Sequence, residues 1–240
     1  MTRVGVEAGA PVRGSKVKRY HVRKIILKNK KYTEQRNKVT VLACFDFFVS
    51  GHRTRGWWVG RGQVPAAVAA PAVAAVAAQH SDLVLVQLDA HADLREEWIG
   101  ARHSHACAMR RCLEVLPSQT LFQLAIRSGT REEFTELHES GRLMPSIDAL
   151  QQALTPLQGK PIYLTVDLDW FDPSVLPGTG TPEPGGYHWS DFASLIAMLQ
   201  EHHLVAADVV ELAPQLDTSG ISSVLAAKVT RSLLLLLGGD

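Results

Sequence analysis

Residues 82–93 read DLVLVQLDAHAD. The first seven form an apolar run of strand length, Asp82 to Leu88, of the kind a buried parallel strand requires. The run ends in Asp89, His91 and Asp93, separated by alanines. In extended chain the spacing i, i+2, i+4 sets the three polar groups on one side. Acids at a buried strand end are costly unless a cation sits among them. Two carboxylates and one imidazole suit a hard or borderline divalent ion such as Mn2+, Mg2+ or Zn2+.

Working outward, the same pattern returns. Pro161 to Val166 (PIYLTV) is a second strand, followed by Asp167, Asp169 and Asp172. A single such aspartate pair is equally a helix cap or turn former; two pairs, each after a strand, favour a metal. Between and around them, periodicity predicts helices at Pro65–Gln79 (kinked or started by Pro71), Cys107–Val115, Arg131–Ser140, Ile147–Leu154, Asp191–His202 with Ser190 as N-cap, and Ser219–Leu237. Further strands are predicted at Val39–Val49, Thr120–Ile126 and Leu204–Leu212. Alternating strands and helices indicate an α/β domain, a mostly parallel sheet covered on both faces. In such sheets function gathers beyond the C-terminal strand ends.

Composition bounds the rest. The chain has 240 residues, is 46% hydrophobic and carries a net charge of +1, an ordinary globular profile. That charge conceals a division. Residues 1–63 are net +12 and residues 64–240 net −11, which places a boundary near Val64, with 1–63 as a basic, divergent segment. Lys16–Lys38 holds ten basic residues. A solvated leader, a presequence of mitochondrial type and a nucleic-acid arm all fit it, and the leader is preferred to nucleic-acid binding. Three cysteines, Cys44, Cys107 and Cys112, are too few for a disulfide framework and suit a reducing, cytoplasmic setting. Leu233–Leu237, taken as the longest candidate for a span, is far too short to cross a bilayer and reads as a buried helix turn, so no membrane role is expected.

Two more polar clusters complete the set. His103-Ser104-His105 follows the first acidic cluster and supplies a candidate proton shuttle. Glu211 closes the strand before Ala213-Pro214, as a helix-entry acid or a counter-ion for a cationic substrate.

DAHAD at 89–93, SHACAMRR at 104–111, TVDLDWFDPSVLPGTGTPEPGG at 165–186 and VVELAP at 209–214 together resemble, in order and type, the ureohydrolase family of agmatinases and arginases. The resemblance covers residues 64–240, and the GTGTPEPGG loop is agmatinase-like. It implies a three-layer αβα sandwich of arginase type with two Mn2+ ions at the strand ends. Asp89 and Asp167 would bridge the ions, His91 and Asp169 would complete one site, and Asp93 would bind the other. His105 would relay a proton and Glu211 would pair with a guanidinium. Thr179 and Thr181 would line the substrate loop, with Glu183 either a second acid for the substrate or a surface residue of that loop. The implied reaction is hydrolysis of a guanidino compound, agmatine foremost, to urea and an amine. Guanidinobutyrate, aminopropylagmatine and arginine are other candidates, and the implied assembly is a homo-oligomer, trimer or hexamer.

One departure stands out. The family's further metal-binding histidine, expected near residues 59–66, is absent from VGRGQVPA; His52 and His80 are the nearest. One ion is therefore expected to bind well and the other weakly. A degenerate homologue acting as a binding or assembly subunit is the alternative.

Overall fold

The computed structural model describes residues 40–43 and 69–238. Lys16–Lys38, Cys44, His52, residues 59–66 and the rest of the Val39–Val49 strand beyond Thr40–Ala43 lie outside them.

Among the described residues six strands and six α-helices follow one another: β1 (Thr40–Ala43), α1 (Ala69–Ala77), β2 (Val84–Leu88), α2 (Ala108–Val115), β3 (Leu121–Leu124), α3 (Arg131–Glu139), β4 (Leu143–Met144), α4 (Ile147–Leu154), β5 (Pro161–Asp167), α5 (Trp189–Leu199), β6 (His203–Val210) and α6 (Ile221–Gly238). The strands form one sheet in the order β1-β6-β5-β2-β3-β4, with every pairing parallel. β1 comes from the N-terminal side of Val64.

Strand alternation divides the core in two. Val84, Val86, Leu88, Ile162, Leu164, Val166, Ala207 and Val209 pack with α4, α5 and α6. Leu83, Leu85, Leu121, Tyr163 and Ala206 pack with α1, α2 and Leu137 of α3. The architecture is thus the expected three-layer α/β sandwich. Each fully buried aliphatic side chain in those layers contributes about 1.5–3 kcal/mol.

Several details bear on the sequence expectations. Pro71 lies in the first turn of α1 as described, where a missing N–H costs little. α5 begins at Trp189, two residues early, because the Asp191 carboxylate accepts the backbone N–H of His188 at 2.8 Å; His188, not Ser190, is its N-cap. β4 went unpredicted, since two residues are too few to show alternation. α6 is 18 residues long with mean hydropathy 1.5, enough by length and composition to cross a bilayer. Here it turns Ala226, Val229, Leu233 and Leu237 into the core, in a stripe of helical period.

The chain order explains where a site forms. From β2 the chain moves outward to β3 and β4, then returns to lay β5 on the other side of β2. The crevice beyond the C-terminal ends of β2 and β5 is a topological switch point, where the connections leave the two strands in opposite directions.

Candidate active site

Both acidic clusters meet in that crevice. Leu88 pairs with Val166 in the β2–β5 register, so Asp89 and Asp167 leave neighbouring strands side by side. A cleft of about 270 Å³ opens there, lined by Asp89, His91, Asp93, Asp167, Asp169 and Glu211, with His105 and Thr181 also on its wall.

Local chain geometry aims these groups. Asp89 accepts the backbone N–H of His91 at 2.6 Å, and Asp167 accepts that of Asp169 at 3.0 Å, so each motif curls over its own strand end. Asp169 in turn accepts the N–H of Ala90 at 3.0 Å, tying the two motifs together. Between the acids, Leu168, Trp170 and Phe171 point into the core, and Trp170 stacks on Tyr187 at 4.6 Å. Asp93 and Glu211 both hold positive φ, 55° and 63°, a backbone cost of order 1–3 kcal/mol of the kind concentrated at functional sites.

His91 is the hub. Its Nδ1 lies 2.8 Å from Asp169 Oδ2 and 3.6 Å from Asp89 Oδ1, and its Nε2 lies 3.9 Å from Glu183. Burial alone would lower the His91 pKa, but bonds to Asp169 and Asp89 and their charges carry it up to about 11. Burial, then the charge of Asp169, pushes Asp89 up to about 7. Asp93 and Asp167 are held well above the carboxylate range, by burial first and then by neighbouring acids. Asp169 goes the other way: burial opposes its ionisation, and the hydrogen bond and charge of His91 overcome that and hold it low.

One imidazolium cannot balance such a group. Among the described residues the cleft lining carries six carboxylates, counting Glu133, and a single guanidinium, Arg95. The effective penalty for burying an ion is several kcal/mol each. Ligand atoms of Asp89, His91 and Asp169 lie within 4.8 Å of one another, the donor set of a divalent cation site. The residues present therefore fit a metal, and Asp93 and Asp167 extend the same anionic wall.

Not every expected residue reaches the cleft. Thr181 lines it and bonds Asp169 at 3.3 Å. Glu183 stands at the rim, part-exposed. Thr179 is 1% exposed, does not line the cleft, and its hydroxyl has no hydrogen-bond partner among the described residues. The preceding Gly178 is pinned inward, its N–H donating to Ser222 and its carbonyl accepting from Ala213, both at 2.8 Å. His80, at the far end of α1, is not among the lining residues.

Arg127 escaped sequence analysis. Its guanidinium donates to the carbonyls of Asp169 at 2.7 Å, Glu183 at 2.8 Å, Pro184 at 3.1 Å and Ala125 at 3.2 Å, clamping the glycine-rich loop over the acids. The loop base is closed by Asp172, which accepts the N–H groups of Gly185 and Gly186. Gly186 is needed there: a Cβ would sit 2.6 Å from Asp172 N and Phe171 C, and 2.7 Å from Arg127. Gly186→Ala is expected to cost about 1–3 kcal/mol, seen as a lowered melting temperature; an unchanged melt would show that the loop base yields freely.

A family model described as the arginase family matches residues 66–236. The chain belongs to the arginase family. Among its relatives are the agmatinase of Bacillus anthracis, 36% identical over 170 residues, and the guanidinobutyrase of Pseudomonas aeruginosa, 32% identical over 182 residues. These alignments cover 69% and 70% of this chain but 59% and 57% of the relatives' own lengths. The structure of proclavaminate amidino hydrolase from Streptomyces clavuligerus is similar with a TM-score of 0.64 and 29% identity, over 73% of this chain and 62% of that one. The arginase-family match ends in α6 and begins just before α1, so it contains every cleft residue named above.

Proposed function

We propose that this chain hydrolyses a guanidino compound to urea and an amine with Mn2+ as cofactor, agmatine to putrescine being the foremost case. The observation that carries the proposal is the convergence of Asp89, His91, Asp93, Asp167, Asp169 and Glu211 on one cleft at the β2–β5 switch point. Bound by Asp89, His91 and Asp169 with Asp93 and Asp167, the ions would supply a water of near-neutral pKa as nucleophile.

The chain's own groups do the rest. The anionic wall draws in a guanidinium cation. Glu211 holds it by charge-assisted hydrogen bonds, whose planar fork matches a carboxylate. Gly180 of the loop lies beside Glu211, its Cβ position at ordinary contact distance, 3.7 Å, from Glu211 Oε2. His105, exposed at the start of the turn before α2 and facing the cleft, gives a proton to the departing amine. Arg127 and Asp172 hold the 178–186 loop as the cover.

The test is urea release from agmatine, guanidinobutyrate, aminopropylagmatine and arginine by Mn2+-loaded protein. Turnover of one of them, reduced at least a hundred-fold in His105→Ala, is the expected result; no urea from any of them overturns the enzymatic reading. In that event the chain is a non-catalytic subunit, a second reading favoured by the lack of a histidine in residues 59–66. A homo-oligomer is proposed on the exposed apolar residues Ile221 and Val224 of α6, to be checked by sedimentation.

A further inference from the structure

Beneath the acids lies a buried polar row. Gln123 of β3, Gln87 of β2, Thr165 of β5 and Asp208 of β6 occupy matching positions in consecutive pairings. Their exposures are 0%, 1%, 3% and 1%. All four point to the α1–α2 side, one step of the pleat below Asp89 and Asp167. Amides in such a place are expensive unless their bonds are made.

The row divides into two halves. Thr165 and Tyr163 donate to Asp208 at 2.7 and 2.6 Å, a closed structural unit. In the other half, Gln87 Nε2 donates to Asp89 Oδ2 at 2.6 Å, and also approaches the carbonyl of His91 at 3.3 Å. Gln123 Nε2 donates to Gln87 Oε1 at 2.6 Å and to the carbonyl of Ala92 at 2.8 Å. The direction of this chain is set by backbone carbonyls, which only accept: the Ala92 carbonyl requires Gln123 to present its NH2, so Gln123 donates to Gln87 Oε1, and the Gln87 NH2 is left facing Asp89 and the carbonyl of His91. Gln123 Oε1 is left without a hydrogen-bond partner among the described residues, the cost of sending its donors toward the site.

We propose that Gln123 and Gln87 are positioning residues for the metal: a two-amide relay that fixes the plane of Asp89, engaging Oδ2 so that Oδ1 faces His91 and the cation. The inference rests on the metal reading above and adds what orients the carboxylate on which that reading depends. It assigns a purpose to the unsatisfied Gln123 carbonyl and to a pair of buried amides directly across a strand pairing.

The experiment uses the full chain, stripped with chelator and titrated with Mn2+ by calorimetry, beside a thermal melt of each metal-free variant. Gln123→Glu keeps the shape but places an acceptor against Gln87 Oε1, so the relay must reverse. Gln87→Met keeps the length and removes the donor. Thr165→Val removes a bond in the other half of the same buried row. Both glutamine variants are expected to bind Mn2+ about 10- to 100-fold more weakly, with Thr165→Val within about two-fold of the parent although its melt is lowered. If Gln123→Glu does not fold, Gln87→Met decides. Equal weakening in all three variants, or none in the glutamine variants, overturns the relay. A parent chain that takes up no Mn2+ overturns the metal reading itself, and the relay with it.

Discussion

Asp169→Asn is expected to abolish urea release, a fall on the order of a thousand-fold or more, while leaving the fold intact. Asp169 is 1% exposed and has three partners: Ala90 N–H at 3.0 Å, His91 Nδ1 at 2.8 Å and the Thr181 hydroxyl at 3.3 Å. Asparagine fills the same volume. Its one oxygen must stay with the Ala90 N–H, so its amide nitrogen turns toward His91 and the cation position, a donor where an acceptor is needed. A ligand charge is lost as well. The metal-free variant should melt within a few degrees of the parent at neutral pH, because removing one acid also relieves Asp89 and Asp167, whose pKa values it helps to raise. Calorimetric Mn2+ uptake and urea assay check this together. Full Mn2+ binding with turnover inside ten-fold of the parent would contradict the central role given to Asp169.

Mn2+ affinity is expected to climb steeply with pH. Without metal, His91 keeps its proton up to about pH 11 and Asp89 keeps its own up to about pH 7. Both must lose them to act as ligands. Asp93 and Asp167, also held well above the carboxylate range, add to the protons displaced, so below about pH 7 a cation displaces at least two protons and the apparent association constant should rise at least about 100-fold per pH unit, less steeply above it, where Asp89 is already ionised.

Stability of the metal-free protein runs in the opposite sense. A carboxyl whose pKa is raised by folding binds its proton more tightly in the folded chain, so stability declines as pH rises. For Asp89 the window runs from the ordinary 3.8 to about 7, and for Asp208, raised chiefly by burial, from 3.8 to about 6. The raised His91 pKa adds stability in full below 6.5, lost as pH climbs toward about 11. Melting temperatures between about pH 5 and pH 8 should therefore fall in chelator and fall less, or rise, in Mn2+. Parallel profiles in the two conditions would show that the acids are not joined to a cation.

Much of this is legible in the sequence. The apolar runs before Asp89 and Asp167 are local patterns, and alternation and helical period depend on residues close in sequence, so strand ends and most helices were placed within a few residues. Alternating strands and helices admit few topologies, which made the layered parallel sheet predictable. The motifs at 89–93 and 165–186 likewise marked the anionic site, because charge at the end of a buried run is anomalous wherever the chain goes next.

What tertiary structure alone decided is which distant residues meet. Asp89 and Asp167 are neighbours only because β5 is laid against β2 in one register. Gln87 and Gln123 are 36 residues apart, and each passes unnoticed inside an apolar strand until that pairing sets them opposite one another. Arg127 reads as a loop residue until it meets the carbonyls of Asp169 and Glu183, and Thr179 as a pocket residue until Gly178 is drawn against Ser222. Periodicity is written in neighbouring residues; register and hydrogen-bond partnership arise from packing the whole sheet at once, where a shift of one residue would turn the strand side chains Gln87 and Gln123 to the other face.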